Sequence, residues 1–227
     1  MLDEARSTET VGEKTYRRIR ADIVFGRLPP GERLTLDRMR DAYEVGVSTL
    51  REMLNRLSSE GLIVAEGSRG FQVTPISAAN LREVAAMRCL LESHALRLSF
   101  EAGDMDWEGG VVAAHHKLAS MERRMAAGER SKAETWKHYD REFHRALIAA
   151  CGSQVLLETH AQIYDRYLRY EMIILVGRRD MPASEHSILL DCALKRDWKT
   201  AQSTLERHIQ DRVDYMIERP PRVRYLP

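Results

Sequence analysis

One aspartate and three histidines in the second half of the chain have side chains suited to binding a divalent metal ion. Asp140 and His144 are four residues apart in a segment with helical periodicity, so their side chains lie on one helix face. His186 and His208 each fall within the apolar stripe of another helical segment. One carboxylate and three imidazoles form a donor set for zinc or a similar ion. The spacing predicts a metal site if the four side chains converge.

A second interpretation of these residues is open, because a histidine on an apolar helix face is commonly a hydrogen-bonded core residue. Spacing along the chain does not show which helices meet.

Arg88 and Arg169 lie on further helical segments. Directed inward, either one would pair bidentately with a carboxylate ligand, and directed outward it would be an ordinary surface residue.

The composition indicates a protein of the reducing cytoplasm. The chain has 227 residues, enough for two modest domains, and its formal net charge of +1 gives no general attraction for nucleic acid or membranes. The three cysteines, Cys89, Cys151 and Cys192, are far apart and odd in number, which argues against a disulfide framework. No apolar run is long enough to span a bilayer, and the first ten residues do not have the pattern of a signal peptide. We expect a cytoplasmic protein with no membrane partner.

The first 75 residues show the order helix, helix, tight turn, helix and β-hairpin. Apolar periodicity and turn residues predict helices over 13–25, 36–43 and about 48–60, followed by strands over 62–65 and 70–74. This is the order of a winged helix-turn-helix, in which the helix after the tight turn enters the major groove of DNA.

Five residues of this segment are candidates for DNA contacts. Ser48 and Thr49, predicted to open the third helix, offer hydroxyls to phosphates or base edges, and Arg51 would reach a guanine or a phosphate. Arg69 and Gly70 at the hairpin tip would approach the minor groove or the backbone. Residues 1–75 contain twelve basic and twelve acidic residues, so attraction to phosphates should be local rather than general.

From residue 76 onward no convincing strand pattern appears, and turn residues separate six helical segments. The predicted helices span about 77–102, 106–127, 131–150, 153–176, 184–196 and 198–218. The expected fold is therefore mainly α. It combines a winged helix-turn-helix domain over residues 1–75 with an all-α bundle of six to seven helices over residues 76–227, which would hold the metal and an effector.

Short motifs of the first domain resemble the GntR family of bacterial transcription regulators. They are Gly26, Leu28, Pro30, Gly31 and Leu34, then Leu50, Arg51, Glu52, Leu54 and Leu57, Glu60 to Leu62, and Arg69, Gly70, Phe71 and Val73. The second half resembles the FCD ligand-binding domain of the FadR subfamily. Its matching residues are Arg88, Leu91, Glu92, Asp140, Phe143, His144, Leu147, Glu185, His186, Leu189, His208 and Ile209.

The resemblance implies a ligand set for the metal. In metal-binding members of the subfamily, an aspartate and a histidine four residues apart join two later histidines around a divalent ion. The resemblance carries this role to Asp140, His144, His186 and His208, with zinc expected and nickel or manganese as alternatives. Members that bind fatty acyl-CoA lack this set, so the resemblance disfavours an acyl-CoA effector.

The resemblance also implies partners. Tyr43, Val45, Gly46, Cys151, Gly152, Arg169 and Tyr170 are among the residues similar to the branch of the family that regulates glutarate and aminobutyrate catabolism. That branch responds to a five-carbon dicarboxylate. The implied partners are a small carboxylate or dicarboxylate effector, a second copy of the chain, and a palindromic double-stranded DNA operator.

These observations predict a DNA-binding regulator rather than an enzyme, and a repressor that leaves its operator when the effector binds. A metalloenzyme is the first alternative, but it would need a general base or nucleophile beside the metal. The chain contains no His-Glu-x-x-His and no Gly-x-Ser-x-Gly motif. A protein with a purely structural metal is the second alternative, which effector-dependent release of DNA would exclude.

Overall fold

The computed structural model describes residues 10–67, 70–129, 132–174 and 183–218. Within these residues the chain divides into two compact units, one ending at Ser77 and the other beginning at Ala78. The predicted mainly α fold is confirmed, with a small antiparallel sheet confined to the first unit. None of the described helices is long and apolar enough to cross a membrane.

The first unit has the architecture of a winged helix-turn-helix. Its elements are α1 (Val11–Val24), β1 (Arg33–Leu34), α2 (Leu36–Tyr43), α3 (Val47–Ser59), β2 (Ile63–Ala65) and β3 (Phe71–Val73). The strands form one antiparallel sheet in the order β1-β3-β2. Apolar residues of α1 and α3, including Ile19, Leu50 and Leu54, are fully buried, so the two helices share one core.

Two details of the first unit differ from the sequence prediction. Helix α3 begins at Val47 with Gly46 at its N-cap, so the predicted start at Ser48 or Thr49 is wrong by one or two residues. An extended Gly46 backbone can leave the turn directly into the helix, and Ser48 and Thr49 therefore lie inside the first turn. Strand β1 is not among the two strands predicted from the sequence, and it pairs with β3 through Leu34 opposite Phe71.

The second unit is helical throughout its described residues. Its helices are α4 (Ala78–Ala102), α5 (Met105–Ala126), α6 (Ala133–Leu147), α7 (Gln154–Ile174), α8 (Ala183–Lys195) and α9 (Trp198–Glu218). Helix α5 packs on α6 and α8, α4 packs on α7 and α9, and α8 packs on α9. These pairings bring one face each of α6, α8 and α9 towards a common interior.

Candidate functional site

Three histidines from three helices meet in the interior of the second unit. His144 of α6, His186 of α8 and His208 of α9 are fully buried, and each offers one ring nitrogen within 4.8 Å of the other two. Their ring centroids are 5.0 to 5.7 Å apart. Three histidines that lie 22 to 64 residues apart in the sequence therefore place their imidazoles at a single point.

Four ligand atoms at this point have no hydrogen-bond partner among the described residues. They are the Nε2 atoms of His144, His186 and His208 and the Oδ1 atom of Asp140. Oδ1 of Asp140 lies 3.4 Å from Nε2 of His186, so the carboxylate belongs to the same cluster. A buried polar atom without a partner costs about 1–3 kcal/mol, so four together call for a bound group. Nitrogen and oxygen donors of this kind fit a divalent metal ion.

The opposite nitrogen of each imidazole faces a glutamate. Nδ1 of His144 contacts Glu92, Nδ1 of His186 is 2.7 Å from Glu122, and Nδ1 of His208 is 2.7 Å from Glu185. A carboxylate accepts the proton of Nδ1 and leaves the lone pair of Nε2 for the interior. All three rings therefore present Nε2 to the same point.

The buried environment acts differently on the three imidazoles. Burial lowers the pKa of His144 despite the neighbouring Glu92, and burial together with Arg212 holds the pKa of His208 well below its usual range. Burial also opposes the charged form of His186, but the carboxylates of Asp140 and Glu122 outweigh it and raise the pKa of that ring. Two of the three rings are thus kept in the neutral form that a metal ion requires.

Asp140 is surrounded by cationic and hydroxyl groups that sequence reasoning did not identify. Its Oδ2 atom accepts a hydrogen bond of 2.9 Å from the Tyr164 hydroxyl and lies 3.2 Å from Nζ of Lys137. Arg212 approaches Oδ1 to 3.8 Å, and it also binds Glu171 at 2.7 Å. Burial alone would raise the pKa of Asp140, but Lys137 and Arg212 hold it well below its usual range. The carboxylate is therefore ionised and can act as a ligand.

The buried charges around the cluster leave an excess of negative charge. The cations that contact it are Arg88, Lys137 and Arg212, whereas its buried carboxylates are Glu92, Glu122, Asp140 and Glu171. Glu185, at the edge of the cluster, adds a fifth carboxylate. With neutral imidazoles the described groups are short of positive charge, which a divalent cation would supply. The residues present therefore fit the metal ion that the sequence predicts.

The two arginines predicted to bind an effector occupy different environments. Arg88 is buried on α4, where its Nε lies 2.9 Å from Glu92 and its guanidinium stacks over Tyr164 and Tyr167. Its guanidinium also lies 3.4 Å from Nδ1 of His144, so it contacts one of the proposed ligand rings directly. Arg169 is buried on α7, where burial lowers its pKa to about 10, and the neighbours that affect it include Tyr170 and Arg166. The sequence left an inward and an outward orientation open for both side chains, and both are buried in the structure.

Several residues of the site were missed or misinterpreted at the sequence level. Glu92 lies four residues after Arg88 on one helix, and Lys137 lies three before Asp140, so helical spacing alone contained both pairs. No helical spacing indicated Glu122, because its partner His186 is 64 residues away in the sequence. Glu185 sits beside His186 in the sequence, which suggests a solvated charge, yet it binds His208.

Four of the five residues predicted to contact DNA are described by the structure, and they lie in the first unit. Ser48 is exposed in the first turn of α3, Arg51 is exposed at the start of the second turn, and Thr49 is half-buried. Gly70 precedes β3 with φ +92°, a conformation that favours glycine. Arg69 lies outside the described residues. Among the described residues Arg51 has no carboxylate partner, whereas Arg38 and Arg56 pair with Glu32 and Glu13.

Comparison with known proteins gives a consistent picture across both units. The family described as bacterial regulatory proteins, gntR family, matches residues 12–73, and the FCD domain matches residues 83–211. The chain is 37% identical to the uncharacterized HTH-type transcriptional regulator BphR of Paraburkholderia xenovorans (strain LB400), over 88% of this chain and 83% of that protein. It is 30% identical to the HTH-type transcriptional repressor GlaR of Escherichia coli (strain K12), over 86% of this chain and 90% of that protein.

Solved structures show the same fold. E. coli McbR/YncC superposes with a TM-score of 0.79 at 19% identity and covers 93% of this chain and 99% of its own. A putative transcriptional regulator GntR from Rhodococcus sp. RHA1 gives a TM-score of 0.74 at 19% identity, covering 91% and 97%. The relatives are named as transcriptional regulators, which does not support the metalloenzyme alternative. The chain therefore belongs to the GntR family of bacterial transcription regulators, in which it is a FadR-like member with an FCD domain.

Proposed function

We propose that this regulator is a repressor whose helical domain binds a divalent ion through Asp140, His144, His186 and His208. A small carboxylate would bind beside that ion and release the protein from DNA. This proposal rests on the convergence of four buried ligand atoms that lack hydrogen-bond partners among the described residues. Zinc suits three nitrogens and one oxygen, with nickel or manganese as alternatives.

A bound divalent ion supplies positive charge and coordination positions that a carboxylate can occupy. The residues of the chain itself would do the remaining work. Three glutamates fix the orientation of the imidazole rings through hydrogen bonds to Nδ1, namely Glu92, Glu122 and Glu185. Lys137 and Tyr164 fix the position of Oδ2 of Asp140. The proposed partners of the effector are Arg88, whose guanidinium lies 3.4 Å from Nδ1 of His144, and Arg169 on α7.

The DNA-binding function is assigned to residues 1–75 and the effector function to residues 76–227. Exposed Ser48 and Arg51 at the start of α3 support major-groove contacts, and Thr49, Gly70 and Arg69 complete the proposed set. Two copies related by a two-fold axis would read a palindromic operator. The relative GlaR is named as a transcriptional repressor, which supports the proposed sign of regulation. An effector can cause release only if it binds the DNA-free arrangement more tightly than the DNA-bound one.

Selection of genomic fragments by the purified protein tests this function. At roughly 0.1–0.2 M salt, where general phosphate attraction is weak, we expect a short palindrome from few loci. Arg51→Ala should weaken binding to the selected site by about tenfold or more and relax its sequence preference. Arg38→Ala is the matched control, because Arg38 already pairs with Glu32 on the same unit.

The second arm of the experiment adds zinc and then small carboxylates, beginning with a five-carbon dicarboxylate, to the selected complex. Release of DNA by one of these carboxylates, lost in His186→Asn, supports the full proposal. Recovery of no sequence above background, with or without metal and carboxylate, would overturn the repressor assignment. A palindrome bound equally with every addition would instead support a structural metal.

A further inference from the structure

The buried carboxylate of Glu92 contacts both the proposed metal ligands and the proposed effector arginine. Its Oε1 atom contacts Nδ1 of His144, and its Oε2 atom accepts a hydrogen bond of 2.9 Å from Nε of Arg88. Because Glu92 is buried, water does not replace either contact when one is lost. A shift of this carboxylate towards one partner therefore weakens its contact with the other.

A further histidine, His160 of α7, contacts the same carboxylate. It is 4% exposed, and its Nε2 atom lies 3.1 Å from Oε2 of Glu92. Its ring centroid is 5.7 Å from that of Tyr164, whose hydroxyl donates to Oδ2 of Asp140. His160 does not belong to the group of three histidines whose ring nitrogens converge among the described residues. Its described contacts are thus with residues that support the ligands.

We propose that His160 is a positioning residue that keeps Glu92 on His144 while an effector carboxylate occupies Arg88. An effector carboxylate would compete with Glu92 for the same guanidinium, because both groups are anions. Nε2 of His160 then remains as a donor to Oε2, and Oε1 stays against the imidazole of His144. The inference rests on the proposed metal and effector function, and it assigns a residue that links the two.

The surroundings of His160 distinguish a hydrogen-bond donor from a residue that only fills space. With Leu157 and Ala161 it lines a cleft between α6 and α7 whose volume is about 20 Å³. An apolar side chain would pack against these neighbours, but it would leave Arg88 as the described donor to Oε2 of Glu92. Hydrogen bonds to a buried carboxylate are stronger than bonds between neutral groups, so this loss should loosen Glu92.

The zinc affinity of the full chain, measured by competition with a chromophoric chelator, tests the role of His160. His160→Leu should lower the affinity about threefold to tenfold, because it removes a donor one step behind the partner of a ligand. His160→Gln places an amide N–H near the position of Nε2 and should restore most of the affinity. His160→Asn is too short to reach Glu92 and should resemble His160→Leu. His116→Leu is the control, because His116 is exposed on α5, and its affinity should equal that of wild type.

A double-mutant cycle tests whether His160 takes over when Arg88 is engaged elsewhere. Arg88→Leu serves as an arginine that no longer holds Glu92. Since either donor can hold Oε2, the double variant should lose more zinc affinity than the product of the two single losses, by about fivefold or more. A double variant whose loss equals that product would overturn the shared support of Glu92.

The remaining outcomes separate this inference from the proposed function. Equal zinc affinity in wild type and His160→Leu, or a His160→Gln protein that binds no tighter than His160→Asn, would overturn the role of His160 and leave the metal site standing. A wild-type protein that binds no zinc would overturn the metal site itself. Helical circular dichroism monitors folding, and the glutamine and asparagine variants, both polar, decide the question even if His160→Leu does not fold.

Discussion

At the scale of single residues, the glutamates behind the imidazoles should control how tightly metal is held. Glu122→Gln preserves size but replaces the carboxylate that faces Nδ1 of His186 at 2.7 Å. A neutral amide accepts the Nδ1 proton more weakly and lowers the basicity of Nε2. Loss of such an outer partner typically lowers metal affinity about 10- to 100-fold. Equilibrium dialysis against zinc measures this directly.

Two further variants provide comparisons for the zinc affinity of Glu122→Gln. His186→Asn removes a ligand rather than its support and should reduce affinity more than Glu122→Gln does. Glu158→Gln changes a glutamate on α7 whose described hydrogen bond is to Gln154 on the same helix, so its affinity should equal that of wild type. Equal zinc affinity in the wild-type, Glu122→Gln and His186→Asn proteins would show that the cluster does not bind the metal.

Residue types and spacing predicted the candidate ligands but not their surroundings. The pairing of Asp140 with His144 follows from helical spacing, the apolar stripes indicated His186 and His208, and the resemblance to metal-binding regulators joined the four into one ligand set. Tyr164, Arg212 and Glu122 reach their partners in the cluster through packing between helices, because they lie 24 to 72 residues from those partners along the chain. No local pattern encodes such contacts, which is why the charge balance of the site became visible only in the structure.

At the scale of elements, the turn between α2 and α3 contains a strained backbone position. Glu44 ends α2 with φ 55°, in the left-handed region where a side chain costs about 1–2 kcal/mol. It is exposed, and within the described part of the chain no ion pair holds it. Glu44→Gly should therefore raise the free energy of unfolding by roughly 0.5–1 kcal/mol, after allowance for the flexibility of glycine in the unfolded chain. Urea denaturation measures the change.

Arg196 provides the comparison for this prediction, because its φ of 58° is nearly the same. Its side chain donates a hydrogen bond of 2.9 Å to the carbonyl of Gly103, pairs with Glu108 at 2.6 Å and stacks on Trp107. Arg196→Gly loses these contacts along with the strain and should not be stabilising. A Glu44→Gly protein no more stable than wild type would mean that the turn is not strained.

Helices were predicted more accurately than their ends. The described helices have 8 to 25 residues, so their apolar periodicity averages over two or more turns, and each appears where the sequence predicts it. Ends depend on single residues, and α6 accordingly stops at Leu147, three residues before its predicted end. Strand β1, with two residues, is too short for any periodicity and gains its identity only by pairing with β3.

At the scale of the whole molecule, the metal should stabilise one unit and not the other. Its proposed ligands lie on α6, α8 and α9, all within the second unit, and none lies in the winged helix. A ligand that binds only the folded state adds RT ln(1 + [L]/Kd), about 2.7 kcal/mol at a hundredfold excess over Kd. The metal ion would join three helices that meet only through side chains. The added stability should therefore appear mainly as a higher free energy for the local opening of those three helices.

Hydrogen exchange of the full chain, with zinc and after chelation, tests this division. Zinc should slow exchange of the amides in α6, α8 and α9, while exchange in α1, α2 and α3 stays unchanged. His186→Asn should show the chelated pattern at every zinc concentration, which separates site binding from general effects of the metal. Slower exchange in both units of that variant would identify zinc binding elsewhere. Unchanged exchange in wild-type α6, α8 and α9 would mean that the three helices are not joined by a metal ion.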